Sequence, residues 1–148
     1  MLAERVWHSV REVVSTRGLL HPCDLASCLG IAVERLPVGD TVQGILVGGR
    51  MLVVNSALSY PRQHAVVLHE CGHRVLHGDR ENRLFLEFRT FLSHGRKELE
   101  ADLFALFYLL EWDRDSFFFD FGRDVFRFAG HYGLPGRAAA EALKVLAR

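Results

Sequence analysis

His69, Glu70 and His73 lie within five residues of one another in the run "AVVLHECGHRVLHGD", and a further histidine, His77, follows one helical turn on. On an α-helix four residues advance about 400°, so His69 and His73 leave the same face one turn apart. Two imidazoles so spaced can share one Zn²⁺ at about 2.0–2.1 Å from each nitrogen. Glu70 projects about 100° round from His69, beside such a site and out of line with its ligands. The pattern His-Glu-x-x-His suits metal-assisted hydrolysis, in which the ion polarises a carbonyl and acidifies water while the glutamate serves as general base. The competing interpretation is a helix with incidental histidines, solvated or satisfied within the core.

A catalytic zinc site usually carries three protein ligands and keeps one position open. His77 stands eight residues from His69, a rotation of about 80° and a translation of about 12 Å along the helix. It therefore reads as a helix-end residue, where a donor or cation favours the last carbonyls. Downstream, "KELEADLFALF" presents Glu98 and Asp102 four apart on one helical face, with Glu100 directed elsewhere. From that face Glu98 can reach a metal while Asp102 hydrogen-bonds the other ring nitrogen of a ligand histidine, a frequent partner of zinc-bound imidazole. The alternative is a solvated acidic turn at a helix start, where carboxylates favour the dipole. Spacing alone leaves both open.

These residues must be held by a fold of modest size. The chain has 148 residues, which suits one domain with a hydrophobic core of its own. Its net charge of zero removes the simplest argument for a nucleic-acid binder, which usually shows a basic excess. Arg74, Arg80, Arg83, Arg89, Arg96 and Lys97 make one stretch locally basic, but Asp79, Glu81 and Glu87 dilute it into a solvated face. No apolar run approaches the roughly 20 residues that span a bilayer. The opening "MLAERVWHSVREVV" has charges scattered through it and lacks the apolar block of a signal peptide. Cys23, Cys28 and Cys71 are odd in number and lack ligand spacing, so a reduced, cytoplasmic protein is expected.

Leu2, Val6, Val10, Val13 and Val14 predict an amphipathic helix over 2–17, ended by Gly18. A short helix opens at Pro22 and closes at Gly30, and a brief strand is expected over 33–36. "VQGILVGGRMLVVN" predicts a hairpin: two β-rich runs, Val42–Val47 and Met51–Asn55, flank the Gly48-Gly49 pair of a tight turn. A helix over about 62–77 follows Pro61 and ends at Gly78. Residues 79–94 read as mostly loop with a short helical piece. "GRKELEADLFALFYLLEW" carries the next helix, and two more are expected over about 114–129 and 135–147. The sum is an α+β fold: a small antiparallel sheet with its hairpin packed against the histidine helix and surrounding helices, in one domain over 1–148.

With both motifs in hand, the chain resembles the ImmA/IrrE-type metallopeptidases. Their pattern is a His-Glu-x-x-His helix ending near "LH", then a Glu-x-x-Ala-(Asn/Asp/Ser)-x-Phe-Ala helix. "HECGHRVLH" and "ELEADLFALF" fit it, with Glu98, Ala101, Asp102, Phe104 and Ala105 on the second motif. "LVVNSALSYPRQHAVVL" and "CDLASCLGIAVERLP" also resemble the family, so the likeness covers most of residues 20–110. It implies a zincin-like active-site helix, His69, His73 and Glu98 as metal ligands, Glu70 as catalytic base, and Glu98 rather than Glu100 as third ligand. Zinc is the implied metal, although such a donor set also accepts Mn²⁺ or Fe²⁺.

The resemblance further implies a narrow endopeptidase of mobile elements and stress responses, cleaving a helix-turn-helix repressor or antitoxin-like partner and so acting on transcription. The second possibility is a non-catalytic, metal-stabilised domain that binds a partner. The family's Leu-Leu-Met-Pro stretch is replaced here by "YLLEWDRD", which removes a proline from the following turn. Cys71 inside the motif either contacts the site or packs as a small apolar group, and packing is preferred. The C-terminal helices, a helical extension over about 114–147, are similar to a helix-turn-helix, but the second is alanine-rich and offers only Arg137 and Lys144, so direct nucleic-acid binding is not expected. Helical spacing puts Phe117, Phe121, Val125 and Phe128 in the core. Phe118, Phe119 and Phe126 are left as an apolar surface for a partner or a dimer.

Overall fold

Valines at helical spacing open the chain as α1 (Leu2–Arg17), burying Ala3, Val6, Val10 and Val13 and ending at Gly18, whose φ of 83° suits glycine. The computed structural model describes residues 1–78, 85–88 and 95–147. α2 (Pro22–Cys28) starts where the His21 ring accepts a hydrogen bond from the Cys23 amide at 3.1 Å, with Pro22 in the first turn. Three strands follow: β1 (Ala32–Leu36), β2 (Val42–Val47) and β3 (Met51–Asn55). Then come α3 (Tyr60–His77), β4 (Phe85–Phe88), α4 (Arg96–Trp112), α5 (Arg114–Phe119), α6 (Val125–His131) and α7 (Gly136–Leu146). The fold is α+β.

The hairpin turns through Gly48, Gly49 and Arg50 between the paired Val47 and Met51, and both glycines take positive φ (59° and 66°), which side-chain-bearing residues rarely adopt. The sheet runs β1-β3-β2-β4, and it is mixed rather than wholly antiparallel. β1 pairs parallel with β3, while β2 pairs antiparallel with both β3 and β4. Buried Asn55 makes the β1–β2 connection possible: its amide donates to the carbonyls of Gly39 (2.7 Å) and Val42 (2.8 Å). β4 replaces the loop expected at 85–88. A four-residue segment without clear alternation becomes a strand through its pairing to β2. The loop and short helix expected elsewhere in 79–94, and the arginines there, lie outside the described residues.

One face of the sheet, carrying Gly44, Leu46, Leu52 and Val54, is buried, and α3 packs against β2 and β3. α3 is buried continuously from Ala65 to Gly72 and α4 from Ala101 to Leu110, so both are enclosed by neighbours on all sides. α4 is the central helix, contacting α1, α3, α5 and α7. The Tyr108 hydroxyl on α4 donates to the Leu20 carbonyl at 2.6 Å, tying the α1–α2 connection to the core; burial pushes this phenol up to about 12.

The helix expected over 114–129 is two helices. Gly122 and Arg123 both adopt positive φ (56° and 65°), which a continuous helix cannot contain. The Asp124 carboxylate then caps α6 by accepting from the amides of Phe126 (3.1 Å) and Arg127 (3.2 Å). The break keeps the expected aromatic core: Phe117 and Phe121 meet Phe128 edge-on at 5.4 and 5.6 Å between ring centroids. Phe119 and Phe126 stay exposed, and the guanidinium groups of Arg114 and Arg123 lie 5.4 and 4.7 Å from the Phe118 ring centroid. α7 packs on α4 and α1 through fully buried Ala138, Ala139 and Ala142, so the alanines that argued for packing do pack. Among the described residues no helix is long and apolar enough to cross a membrane.

Candidate metal centre

α3 begins where the Ser59 hydroxyl accepts from the Arg62 amide and Pro61 sits in the first turn, and it ends at Gly78 in the left-handed conformation (φ 58°). Between these ends it crosses α4 at Gly72. A Cβ on Gly72 would meet the Phe104 Cβ at 2.9 Å and the Ala101 backbone at 3.1 Å, so only glycine lets the helices approach this closely. The near contact brings the histidine face of α3 onto the first turns of α4.

Three side chains converge there. Glu98 Oε2 lies 3.0 Å from His69 Nε2, Glu98 Oε1 lies 2.9 Å from His73 Nε2, and the two Nε2 atoms are 3.2 Å apart. Two donors about 2.1 Å from a tetrahedral Zn²⁺ stand about 3.4 Å from each other. Two imidazoles and a carboxylate at these separations therefore fit one zinc ion, and His69, His73 and Glu98 are the group among the described residues that can hold a metal. Side-chain exposure rises from 2% at His69 through 12% at His73 to 27% at Glu98, so the cluster opens towards solvent on the Glu98 side.

The histidines are themselves held. His69 Nδ1 lies 2.8 Å from Asp102 Oδ1, and both residues are 2% exposed. An ionised carboxylate only accepts, so His69 carries a proton on Nδ1, and a metal ion bound beside Glu98 and His73 would take up its Nε2 lone pair. His73 Nδ1 lies 3.1 Å from His77 Nδ1, and His77 Nε2 lies 3.5 Å from Glu100 Oε1. Burial and then the neighbouring His73 lower the His77 pKa from its ordinary value, against the pull of Glu100. Burial alone would raise the Glu98 carboxyl. Hydrogen bonds and charge from His69 and His73 outweigh it and hold Glu98 well below the usual carboxylate range.

Glu70 is buried on α3 at 1% exposure and is not one of the three convergent donors. Cys71 is fully buried in the hydrophobic core, packing as a small apolar side chain; burial first, and the Glu70 charge next, push its thiol well above the usual range. Arg74, close in sequence, is not directed at the cluster. Its guanidinium donates to the Leu29 carbonyl at 2.7 Å and to the Gly49 carbonyl, clamping α2 and the hairpin turn to α3. His94, another neighbour in sequence, lies outside the described residues. β2 and β3 are interior strands, so neither offers the free edge on which an extended peptide could add; the sheet edges are β1 and β4.

The sequence profile of the IrrE N-terminal-like domain, peptidase family M78, matches residues 26–144. The chain belongs to this family. It is also 31% identical over 108 residues to a protein of Bacillus phage phi105 named "Uncharacterized immunity region protein 2", covering 70% of this chain and 68% of that relative. No solved structure matches it significantly. In this M78-family chain α4 is capped at its C-terminus by Asp113, whose carboxylate accepts from the Tyr132 hydroxyl at 2.5 Å.

The side chains that sequence reasoning passed over are His77, as a neighbour of His73, and Glu100 behind it. The signal was available. Measured from His69, His77 has drifted off the face, but it stands four residues from His73 and so adjoins that ring directly.

Proposed function

We propose that this chain is a Zn²⁺-dependent endopeptidase of narrow specificity, with His69, His73 and Glu98 as metal ligands, Asp102 orienting His69, and Glu70 as general base. The observation that carries the reading is the convergence of two imidazole nitrogens and one carboxylate within 3.2 Å of each other, backed by a buried Asp102 that fixes one tautomer. When bound, the ion supplies Lewis-acid polarisation of the scissile carbonyl and an acidified water. Glu70 takes the proton and passes it to the leaving amine. Asp102 keeps the His69 lone pair turned inward through the cycle. The same donors accept Mn²⁺ or Fe²⁺ when these are the abundant ions.

Membership of a peptidase family and similarity to a phage immunity-region protein support a protein substrate from a mobile element: a helix-turn-helix repressor or antitoxin-like partner. On this reading the protein works in the cytoplasm as one domain over 1–148, acting on transcription and stress responses through cleavage rather than by binding nucleic acid. The exposed Phe119 and Phe126 offer an apolar contact to a partner or a second copy.

The test is metal content and Zn²⁺ affinity of the purified protein, followed by co-expression with repressors from neighbouring genes. Wild type is expected to hold one Zn²⁺ and to shorten one such repressor, Glu98→Ala to lose the metal, and Glu70→Gln to keep the metal without cleaving. A wild type that binds no Zn²⁺ tightly would overturn the metal centre. A Glu70→Gln variant that relieves repression as well as wild type would replace the peptidase with a metal-stabilised domain that acts by binding.

A further inference from the structure

We propose that His77 and Glu100 are positioning residues for His73, forming a relay that turns the His73 Nε2 lone pair towards the metal. The inference rests on the metal-centre reading above and extends it to two residues outside the ligand set.

The relay follows from hydrogen-bond polarity. The Glu100 carboxylate only accepts, and its Oε1 stands 3.5 Å from His77 Nε2, an ion-pair separation rather than a formed hydrogen bond, so its negative charge favours the His77 proton on Nε2. His77 Nδ1 is then a lone pair. It lies 3.1 Å from His73 Nδ1, and two lone pairs do not face each other at that distance, so His73 Nδ1 carries a proton and donates it. A neutral His73 with its proton on Nδ1 has its lone pair on Nε2, which a cation shared with Glu98 and His69, 2.9 and 3.2 Å from that atom, would take up. Each step follows from the one before, starting from the Glu100 charge. Arg96, one turn earlier on α4, stands 3.7 Å from the same Glu100 oxygen and steadies it.

The arrangement answers the two alternative roles for His77. It is not a fourth ligand, because its Nδ1 is directed at the outer nitrogen of His73 and its Nε2 at Glu100, both away from the point where Glu98, His69 and His73 meet. Nor is it only a helix-end donor, since its ring tilts against His73 at 5.2 Å between centroids and its side chain is 9% exposed. The two ligand histidines are thus anchored in different ways. His69 has a direct carboxylate, Asp102, at 2.8 Å, whereas His73 reaches its carboxylate through an intervening imidazole.

The experiment compares Zn²⁺ affinity by chelator competition, the visible spectrum of the Co²⁺-loaded protein, and the melting temperature of metal-free protein. The proteins are wild type, His77→Leu, His77→Gln and Glu100→Ala. Loss of a partner behind a metal ligand typically costs 10–100-fold in affinity. His77→Leu should lose Zn²⁺ affinity by about that factor and shift the Co²⁺ bands. His77→Gln, whose amide oxygen can accept the His73 proton, should restore both to near wild type. Glu100→Ala should move in the same direction as His77→Leu by less. Metal-free melting temperatures should not follow this order. A His77→Leu variant that binds within twofold of wild type overturns the relay, as does a His77→Gln variant as weak as His77→Leu.

Should His77→Leu fail to fold, nitrogen-15 NMR of zinc-loaded wild type decides directly. The relay requires the proton on Nδ1 of His73 and on Nε2 of His77. The opposite tautomer of His77, or metal coupling to it, overturns the relay while leaving the metal centre intact. Wild type that binds no Zn²⁺ removes the metal centre and the relay with it.

Discussion

Gly72 of α3 lies against Ala101 of α4 so closely that a Cβ at position 72 would stand 3.1 Å from the Ala101 Cα and from its carbonyl oxygen. Those are backbone atoms in the most buried stretch of the fold, and they cannot turn aside as a side chain would. The spacing of this crossing sets the distance from His69 and His73 to Glu98 and Asp102. A glycine within a helix is therefore a condition of the site, although it contributes no donor to it.

Gly72→Ala tests this directly. Alanine gains about 1 kcal/mol of helix propensity over glycine. Overpacking a tight contact costs about 1–3 kcal/mol, and here the obstructing atoms are backbone. The clash should win, lowering the stability measured by urea unfolding. If the helices part to relieve it, Zn²⁺ affinity falls as well. A variant more stable than wild type with unchanged affinity would show that the crossing is not held at this distance.

The Glu98 carboxyl gives a prediction about pH in the metal-free protein. Burial raises its pKa, but hydrogen bonds from His69 and His73 lower it further, to well below the ordinary value of the unfolded chain. A group depressed on folding contributes stability that is fully present above the unfolded pKa, about 4.3 for glutamate, and lost as pH falls towards the folded value. Urea unfolding in a chelator should therefore show wild type losing stability below about pH 4.5 more steeply than Glu98→Gln. Equal slopes would mean that the two histidines do not stabilise the ionised form.

The features of this molecule that are legible in its sequence are the ones local rules decide. α1, the β2–β3 hairpin and the ends of α3 follow from helical spacing of valines, two glycines able to take positive φ, and a glycine closing a helix. The pairs His69/His73 and Glu98/Asp102 each share a face by spacing, and the geometry brings both pairs together. Three features depend on tertiary context instead. β4 is a strand because β2 offers a partner, β1 runs parallel to β3 because buried Asn55 folds the connection back, and the α5–α6 break needs Arg123, a residue with no special liking for positive φ, to adopt 65°. The contact from His77 to Glu100 spans two helices, and only their crossing reveals it.

The cysteines should divide sharply in reactivity. Cys71 is fully buried, and its thiol is pushed well above its usual range by burial and by the Glu70 charge, whereas Cys28 is exposed and Cys23 half-buried. The reactive species is the thiolate, and it needs access. In native protein a thiol reagent should modify Cys28 readily and Cys23 more slowly, with Cys71 labelled only on unfolding. Peptide mapping after timed labelling gives the order. Early modification of Cys71 would mean that the motif helix opens far more often than its packing suggests.

Asp102 should prove more sensitive to removal than to a conservative change. The residue is 2% exposed and its carboxylate accepts from His69 Nδ1 at 2.8 Å, so Asp102→Ala leaves a buried ring N–H facing a void and frees His69 to move its proton to Nε2. Both effects act against metal binding. An affinity loss of about 10–100-fold is expected, together with a fall of about 1–3 kcal/mol in the stability of metal-free protein. Asp102→Asn keeps an oxygen that can accept the same proton, so its loss should be smaller on both counts, though the neutral amide holds the tautomer less firmly. Chelator competition and urea unfolding on the three proteins measure the two effects separately. If alanine and asparagine cost the same in affinity, the lost charge matters and the hydrogen bond does not; if neither costs anything, His69 is oriented by the packing of α3 on α4 alone.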